Sequence, residues 1–142
     1  LENTNNLADV VIAAIDYSGA KKIKFSPGQN AHTGRVAANN ERGFTVPTTT
    51  LKEQVSKLPE HEYILVCDIE GAELELCENE KAALSKAYLL ILETHPKIYP
   101  RNALDYQKIQ ENIENAGLVE IEKCGAVVCF ASKTAMEDFN LI

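Results

Sequence analysis

Residues 63–73 read YILVCDIEGAE, an apolar run that ends in an acid and then passes into a turn with a glycine. Apolar runs of this length, bounded by turn residues, are typical of strands buried on both faces of a sheet. Open α/β sheets bind their ligands at the carboxyl ends of such strands. The stretch therefore predicts a buried strand over residues 63–68 that presents Asp68 at a ligand-binding edge.

The next apolar run repeats this design. Residues 88–92 read YLLIL, Glu93 follows, and His95-Pro96 comes directly afterwards. A residue that precedes proline is disfavoured in the helical conformation, so His95 is expected in an extended or turn segment. Two consecutive strands thus deliver polar groups, from Asp68 to His95, to one edge of the sheet.

The remaining patterns place helices between strands. One amphipathic helix is predicted over residues 74–87, and another over residues 106–116, where Gly117 supplies a left-handed cap. Thr50-Leu51-Lys52-Glu53 matches a capping box that opens a short helix reaching about Leu58. The other predicted elements are a helix tail over residues 1–7, strands over 10–15, 23–26, 44–46, 118–123 and 126–131, and a long polar loop over 27–43.

The order of these elements predicts one α/β domain over residues 1–142. Strands that alternate with helices indicate parallel crossovers, and the last two strands are separated only by Cys124-Gly125, which indicates a hairpin. We therefore expect a mostly parallel, Rossmann-like sheet with an antiparallel C-terminal hairpin.

Composition excludes several classes of partner. The chain has 14 Lys and Arg against 21 Asp and Glu, a net charge of -7, which argues against binding nucleic acid. No apolar run approaches the ~20 residues that span a bilayer. The four cysteines form no CxxC pair and mostly lie in apolar stretches, so reduced core thiols are expected rather than a zinc site. These features favour a soluble, cytoplasmic protein.

Three segments together resemble the signature of FkbM-type methyltransferases. Residues 50–53 are similar to that family's "tLDe", residues 66–73 to its "K-D-x-E-G-A-E", and residues 92–96 contain its "E-x-H". The chain departs from the pattern at Cys67, where many members carry Lys, and at Lys52, where the motif has Asp. Residues 1–15 also resemble the family's third strand and the helix before it.

This resemblance implies a class I fold with strand order 3-2-1-4-5-7-6 and methyl transfer from S-adenosylmethionine to a hydroxyl of a sugar, lipid-like or other small metabolite. Asp68 and His95 become candidate catalytic proton acceptors, and Glu70 and Glu93 candidate substrate-binding residues. Asp16, together with Asp68, corresponds to positions that meet the cofactor.

The resemblance also leads us to expect the C-terminal portion of such a domain. Class I methyltransferases open with a Gly-rich turn and an acid that binds the ribose, whereas this chain has no G-x-G sequence. We therefore expect weak or absent binding of S-adenosylmethionine to these 142 residues. A fourth strand without its usual neighbour predicts a homodimer formed through a sheet edge or an exchanged segment.

Structural explanations exist for the same residues. Asp68 can cap the following helix, Asp16 can form a turn, and His95 can be a polar loop residue. Glu73 is assigned to the helix dipole as a first-turn acid rather than to the site.

Other functional classes also stay open. Asp68, Glu70, Glu93 and His95 have the chemistry of a metal site in a hydrolase, but acids at strand ends are common without metal, so none is expected. A non-catalytic α/β module that associates with itself is the other alternative.

Overall fold

The computed structural model describes residues 8–26, 35–37, 42–58, 62–101 and 103–142. The chain divides into two compact units, Leu1–Thr49 and Thr50–Ile142. The predicted helix tail over residues 1–7 and most of the predicted loop over residues 27–43 lie outside the described residues.

The first unit is a small mixed sheet. Its strands are β1 (Ala14–Ile15), β2 (Lys22–Ser26), β3 (Arg35–Val36) and β4 (Phe44–Thr49), in the order β1-β4-β2-β3. The strands predicted over residues 23–26 and 44–46 are confirmed, and they pair antiparallel with each other.

The prediction of a buried strand over residues 10–15 is wrong. Only Ala14 and Ile15 form a strand, because they alone pair with β4, and the side chains of Val10, Val11 and Ile12 are exposed. An apolar run forms a ladder only where a neighbouring strand offers hydrogen-bond partners.

The second unit contains the main sheet. Its strands are β5 (Tyr63–Cys67), β6 (Ala87–Glu93), β7 (Val119–Cys124) and β8 (Val127–Ala131), in the order β5-β6-β8-β7. β5 and β6 are parallel, while β8 runs antiparallel to both β6 and β7. The predicted α/β class and terminal hairpin are confirmed, but both sheets are mixed rather than mostly parallel.

Five helices are described, all in the second unit: α1 (Leu51–Val55), α2 (Glu73–Asn79), α3 (Lys81–Leu84), α4 (Ala103–Asn115) and α5 (Lys133–Asp138). The capping box at Thr50 and Glu53 is confirmed, although α1 ends three residues before Leu58. The helix that ends before Gly117 is also confirmed, and Gly117 has a φ of 92°.

The single helix predicted over residues 74–87 is wrong. It is two helices separated at Glu80, and Ala87 already begins β6. Glu80 is 4% exposed, and its carboxylate accepts a hydrogen bond from the backbone N–H of Lys52 at 3.1 Å. The break between the two helices coincides with this contact to α1, and the backbone of Glu80 there has a non-helical φ of -115°.

The core of the second unit lies on one face of its sheet. Register pairs Leu90 with Phe130 and Leu92 with Val128, and all four side chains are buried. The opposite face is more open, since Ile64 and Val66 of β5 are exposed. α4 adds two fully buried side chains to the core, Ile109 and Ile113.

None of the helices in the described part of the chain has the length and apolarity needed to span a membrane. All four cysteines are free: Cys67 and Cys77 are buried, Cys129 is half-buried and Cys124 is exposed.

Candidate functional site

Two parallel strands bring the candidate residues to one edge of the sheet. β5 ends at Cys67 and Asp68 follows it, while β6 ends at Glu93 and His95 lies two residues beyond. Cys67 is in register with Leu92, so the two strands end at the same level. Asp68 and His95 therefore meet, as their positions in the sequence predict.

A tight turn after β5 carries the second carboxylate. The N–H of Ala72 donates to the carbonyl of Ile69 at 3.3 Å, and both central residues have positive φ, 50° at Glu70 and 102° at Gly71. Glycine tolerates this conformation, whereas a glutamate in it is strained and needs support from its surroundings. The turn places the Glu70 carboxylate beside His95.

His95 lies between three carboxylates. Its Nδ1 is 2.8 Å from Oε1 of Glu73, and its Nε2 is 3.6 Å from both Oδ1 of Asp68 and Oε2 of Glu70. Because an ionised carboxylate only accepts hydrogen bonds, Nδ1 carries the proton and donates it to Glu73. The lone pair of Nε2 then faces the two other carboxylates.

Glu73 holds both His95 and the turn after β5 in place. It is completely buried, and its Oε1 also accepts a hydrogen bond from the N–H of Gly71 at 3.1 Å. Its Oε2 accepts no hydrogen bond by geometry from the residues that the structure describes. One buried carboxylate thus fixes both the imidazole and the turn that carries Glu70.

Tyr99 fixes the backbone of the same segment. Its hydroxyl accepts a hydrogen bond from the N–H of His95 at 2.8 Å, and its side chain is 3% exposed. Burial, with the nearby Glu73 carboxylate, raises the pKa of this phenol, so it stays protonated.

The carboxylates set the protonation of His95. Partial burial lowers its pKa, but the hydrogen bond that His95 donates to Glu73 and the charges of Glu73, Glu70 and Asp68 outweigh this, and the net pKa is raised above its ordinary value of 6.5. Among the described residues, no Lys or Arg forms an ion pair with these three acids.

A cavity of about 620 Å³ lies beside the segment that carries His95. Lys123 from β7 lines this cavity, and its ammonium group donates a hydrogen bond to the Tyr106 hydroxyl at 2.5 Å. The same ammonium lies 4.4 Å from the centre of the Tyr106 ring. The lining residues are Thr94, Pro96, Lys97, Ala103, Tyr106, Lys123, Gly125 and Ala126.

The predicted site residues do not all converge. Asp68, Glu70 and His95 each offer a ligand atom within 4.8 Å of the others, a geometry that can hold a metal ion. Glu93, half-buried at the end of β6, is outside this group as far as the described residues show. Asp16 lies in the first unit, where its carboxylate accepts from the N–H and hydroxyl of Ser18.

Glu73 was assigned to the helix dipole, yet it is the residue that orients His95. Its position as the last acid of the Asp-x-Glu-Gly-Ala-Glu motif was a sequence signal for a role in the site. Its complete burial, which the sequence does not show, distinguishes it from an ordinary exposed acid in a first helical turn. Tyr99 was not predicted, and its sequence surroundings offer no signal.

Comparison with known proteins gives one family. Residues 1–125 match the family described as "Methyltransferase FkbM domain". No curated protein and no solved structure gives a significant match. The match covers most of the 142 residues and runs through both units. The chain therefore belongs to the FkbM methyltransferase domain family, within the class I S-adenosylmethionine-dependent methyltransferases.

Proposed function

We propose that this chain forms the catalytic side of an O-methyltransferase domain that methylates a hydroxyl of a small metabolite. One observation carries the proposal: in a chain of this family, Asp68, Glu70 and His95 converge at the carboxyl ends of β5 and β6. Open α/β sheets bind ligands there. A sugar or lipid-like acceptor is proposed from the family resemblance.

The site's own residues would remove the acceptor's proton. Asp68, with half its side chain exposed, is accessible to a hydroxyl, and Nε2 of His95 can also take the proton when its lone pair is free. Glu70, and Glu93 nearby on β6, are proposed to hold the acceptor. S-adenosylmethionine, when bound, supplies a methyl group on a positively charged sulfur.

The described residues fit only one end of that cofactor. Three carboxylates around one imidazole suit the positive sulfonium. For the adenosine end the fit is poor, because Asp16 is engaged with Ser18 in its own turn and the chain has no G-x-G sequence. We propose that the 142 residues bind S-adenosylmethionine weakly or not at all, and micromolar binding by calorimetry would refute this.

We also propose that both units belong to one Rossmann-like domain. The family match runs from residue 1 to residue 125 and so includes both. For the second unit the order β5-β6-β8-β7 supports the Rossmann-like assignment, because it equals 4-5-7-6 in the strand order that the family resemblance implies.

We also propose that the chain forms a homodimer. Within the described residues β5 pairs only with β6, so its other edge presents unpaired backbone groups, which tend to recruit another strand. Light scattering over a concentration series tests it, and a monomer at every concentration would refute it.

The test of the enzymatic function is a methylation assay. Because the chain has no G-x-G turn, the donor-binding segment of another FkbM-type domain is fused before Leu1. Transfer of tritium from labelled S-adenosylmethionine is measured on a panel of sugar and lipid-like alcohols.

Variants of the fusion then test whether Asp68 and His95 act as proton acceptors. Asp68→Asn and His95→Gln should lower kcat by at least tenfold, on the order of the contribution of a proton acceptor. Glu75→Gln removes a charge from the exposed face of α2 and should leave kcat unchanged. If all three variants turn over like the parent, the cluster has no catalytic role. If no alcohol is methylated, the non-catalytic module becomes the better explanation.

A further inference from the structure

We propose that Asp68, Glu70 and His95 form a binding site for a first-row divalent metal ion. The ligand atoms are Oδ1 of Asp68, Oε2 of Glu70 and Nε2 of His95. The sequence alone led to the expectation of no metal, because it shows acids at strand ends without showing their separation. The structure supplies that separation.

The distances suit coordination better than hydrogen bonding. Nε2 is 3.6 Å from each carboxylate oxygen, too long for a hydrogen bond to either. Bonds of about 2.1 Å to a shared cation set neighbouring ligands about 3.4 Å apart in tetrahedral geometry and about 3.0 Å apart in octahedral geometry. Small rotations of the partly exposed Asp68 and Glu70 side chains would complete either geometry.

Glu73 supplies an independent observation. Metal-binding histidines usually donate their other ring N–H to a carboxylate, which fixes the tautomer and directs the free lone pair at the metal. His95 has this partner, with Nδ1 2.8 Å from Oε1 of Glu73. Glu73 is itself completely buried, so the fold fixes its position and that of the imidazole it orients.

The charge balance agrees with a cation. Asp68, Glu70 and Glu73 surround one imidazole, so the group stays negative even when His95 is protonated. Like charges held this close destabilise one another, and a divalent ion would compensate two of the three, which leaves one negative charge for the sulfonium of the methyl donor when His95 is neutral. Two carboxylates and one imidazole suit Mn²⁺, Fe²⁺ or Zn²⁺ better than Ca²⁺, which favours oxygen ligands alone.

The consequence for catalysis rests on the proposed function. Three protein ligands leave positions open on the ion for an acceptor hydroxyl, whose pKa a bound cation lowers. His95 would hold the ion through Nε2, and the carboxylate oxygen of Asp68 that does not bind the ion would accept the hydroxyl proton. Metal binding itself needs no methyl transfer, so the two proposals fail separately.

The experiment measures Mn²⁺ binding to the 142-residue chain by the loss of the free-ion electron paramagnetic resonance signal. Wild type should bind one Mn²⁺ per chain, and Zn²⁺ should displace it at lower concentration than Mg²⁺. Asp68→Asn and His95→Ala should weaken binding at least tenfold. Glu73→Gln, which removes no ligand, should weaken it about 10- to 100-fold, as changes to such supporting carboxylates do.

Glu93→Gln is the matched control, because it removes a carboxylate from the same sheet edge but lies outside the three-residue group. It should bind Mn²⁺ within about twofold of wild type. Circular dichroism on every variant separates lost binding from lost folding. The proposal is overturned if wild type shows no saturable binding, or if folded Asp68→Asn and Glu93→Gln have the same affinity.

Discussion

Truncation of Glu73 should destabilise the protein far more than its position in a first helical turn suggests. Glu73→Ala removes the only carboxylate that accepts from the Gly71 N–H and from Nδ1 of His95. Each buried donor left without an acceptor costs about 1–3 kcal/mol, and partial hydration of His95 reduces its share. We expect a net loss of about 2–4 kcal/mol in the free energy of unfolding.

Two variants serve as controls. Glu73→Gln keeps an oxygen at the Oε1 position, so both hydrogen bonds survive and stability should stay within about 1 kcal/mol of wild type. Glu75→Ala removes a charge from the exposed face of the same helix and should change stability by less than about 0.5 kcal/mol.

The assay is urea unfolding followed by far-ultraviolet circular dichroism at pH 7, with EDTA present. With a denaturant slope of about 2 kcal/mol/M, Glu73→Ala should lower the midpoint by about 1–2 M. If its midpoint matches that of Glu75→Ala, Glu73 does not anchor His95 and the turn. If Glu73→Gln is as unstable as Glu73→Ala, the negative charge matters rather than the two hydrogen bonds.

Three further predictions concern pH, thiols and backbone strain. Folding raises the pKa of His95 above 6.5, so protonated His95 stabilises the folded protein below pH 6.5. This contribution is lost as the pH rises through the pKa of the folded state. Urea titrations of wild type should show the decline in the free energy of unfolding, and those of His95→Gln should not. Cys124 is exposed and should react with a thiol reagent in the native state, whereas burial raises the pKa of Cys67 to about 12 and should delay its reaction until unfolding; equal rates would contradict this. Gly71→Ala forces an L side chain to a φ of 102° with its Cβ 3.2 Å from Ile98, and calorimetry should show a loss of about 1–3 kcal/mol.

Much of the site followed from the sequence, because local pattern and topology agreed there. Apolar runs placed Asp68 at the end of β5 and His95 just beyond β6, and parallel pairing then required the two to meet. The terminal hairpin was predicted from a turn at Cys124-Gly125, and in the structure the turn lies one residue later, at Gly125-Ala126. Where a short motif fixes the direction of the backbone, the positions of the side chains that follow it can be predicted from the sequence.

Elsewhere tertiary contacts decided the outcome. The break at Glu80 coincides with a hydrogen bond from the backbone of Lys52, 28 residues away, and no glycine or proline marks it. The α5 helix was not predicted, although Ser132 caps it by accepting from the N–H of Ala135. Glu73 differs from Glu75 only in which face of α2 it occupies, and packing determines that face.

Because β8 runs antiparallel to β7, the turn that joins them forms one side of the cavity beside His95. The turn between β7 and β8 returns to the end of β6, where the Ala126 carbonyl accepts from both the N–H and the hydroxyl of Thr94. Gly125 and Ala126 line the cavity there, yet neither contributes to the Asp68, Glu70 and His95 cluster. A longer or bulkier turn would reshape the cavity while β6 and Glu73 keep the cluster in place. Under the proposed function, relatives would differ in the compounds they accept through side chains of this one short turn, provided that the Ala126 carbonyl keeps its two hydrogen bonds from Thr94.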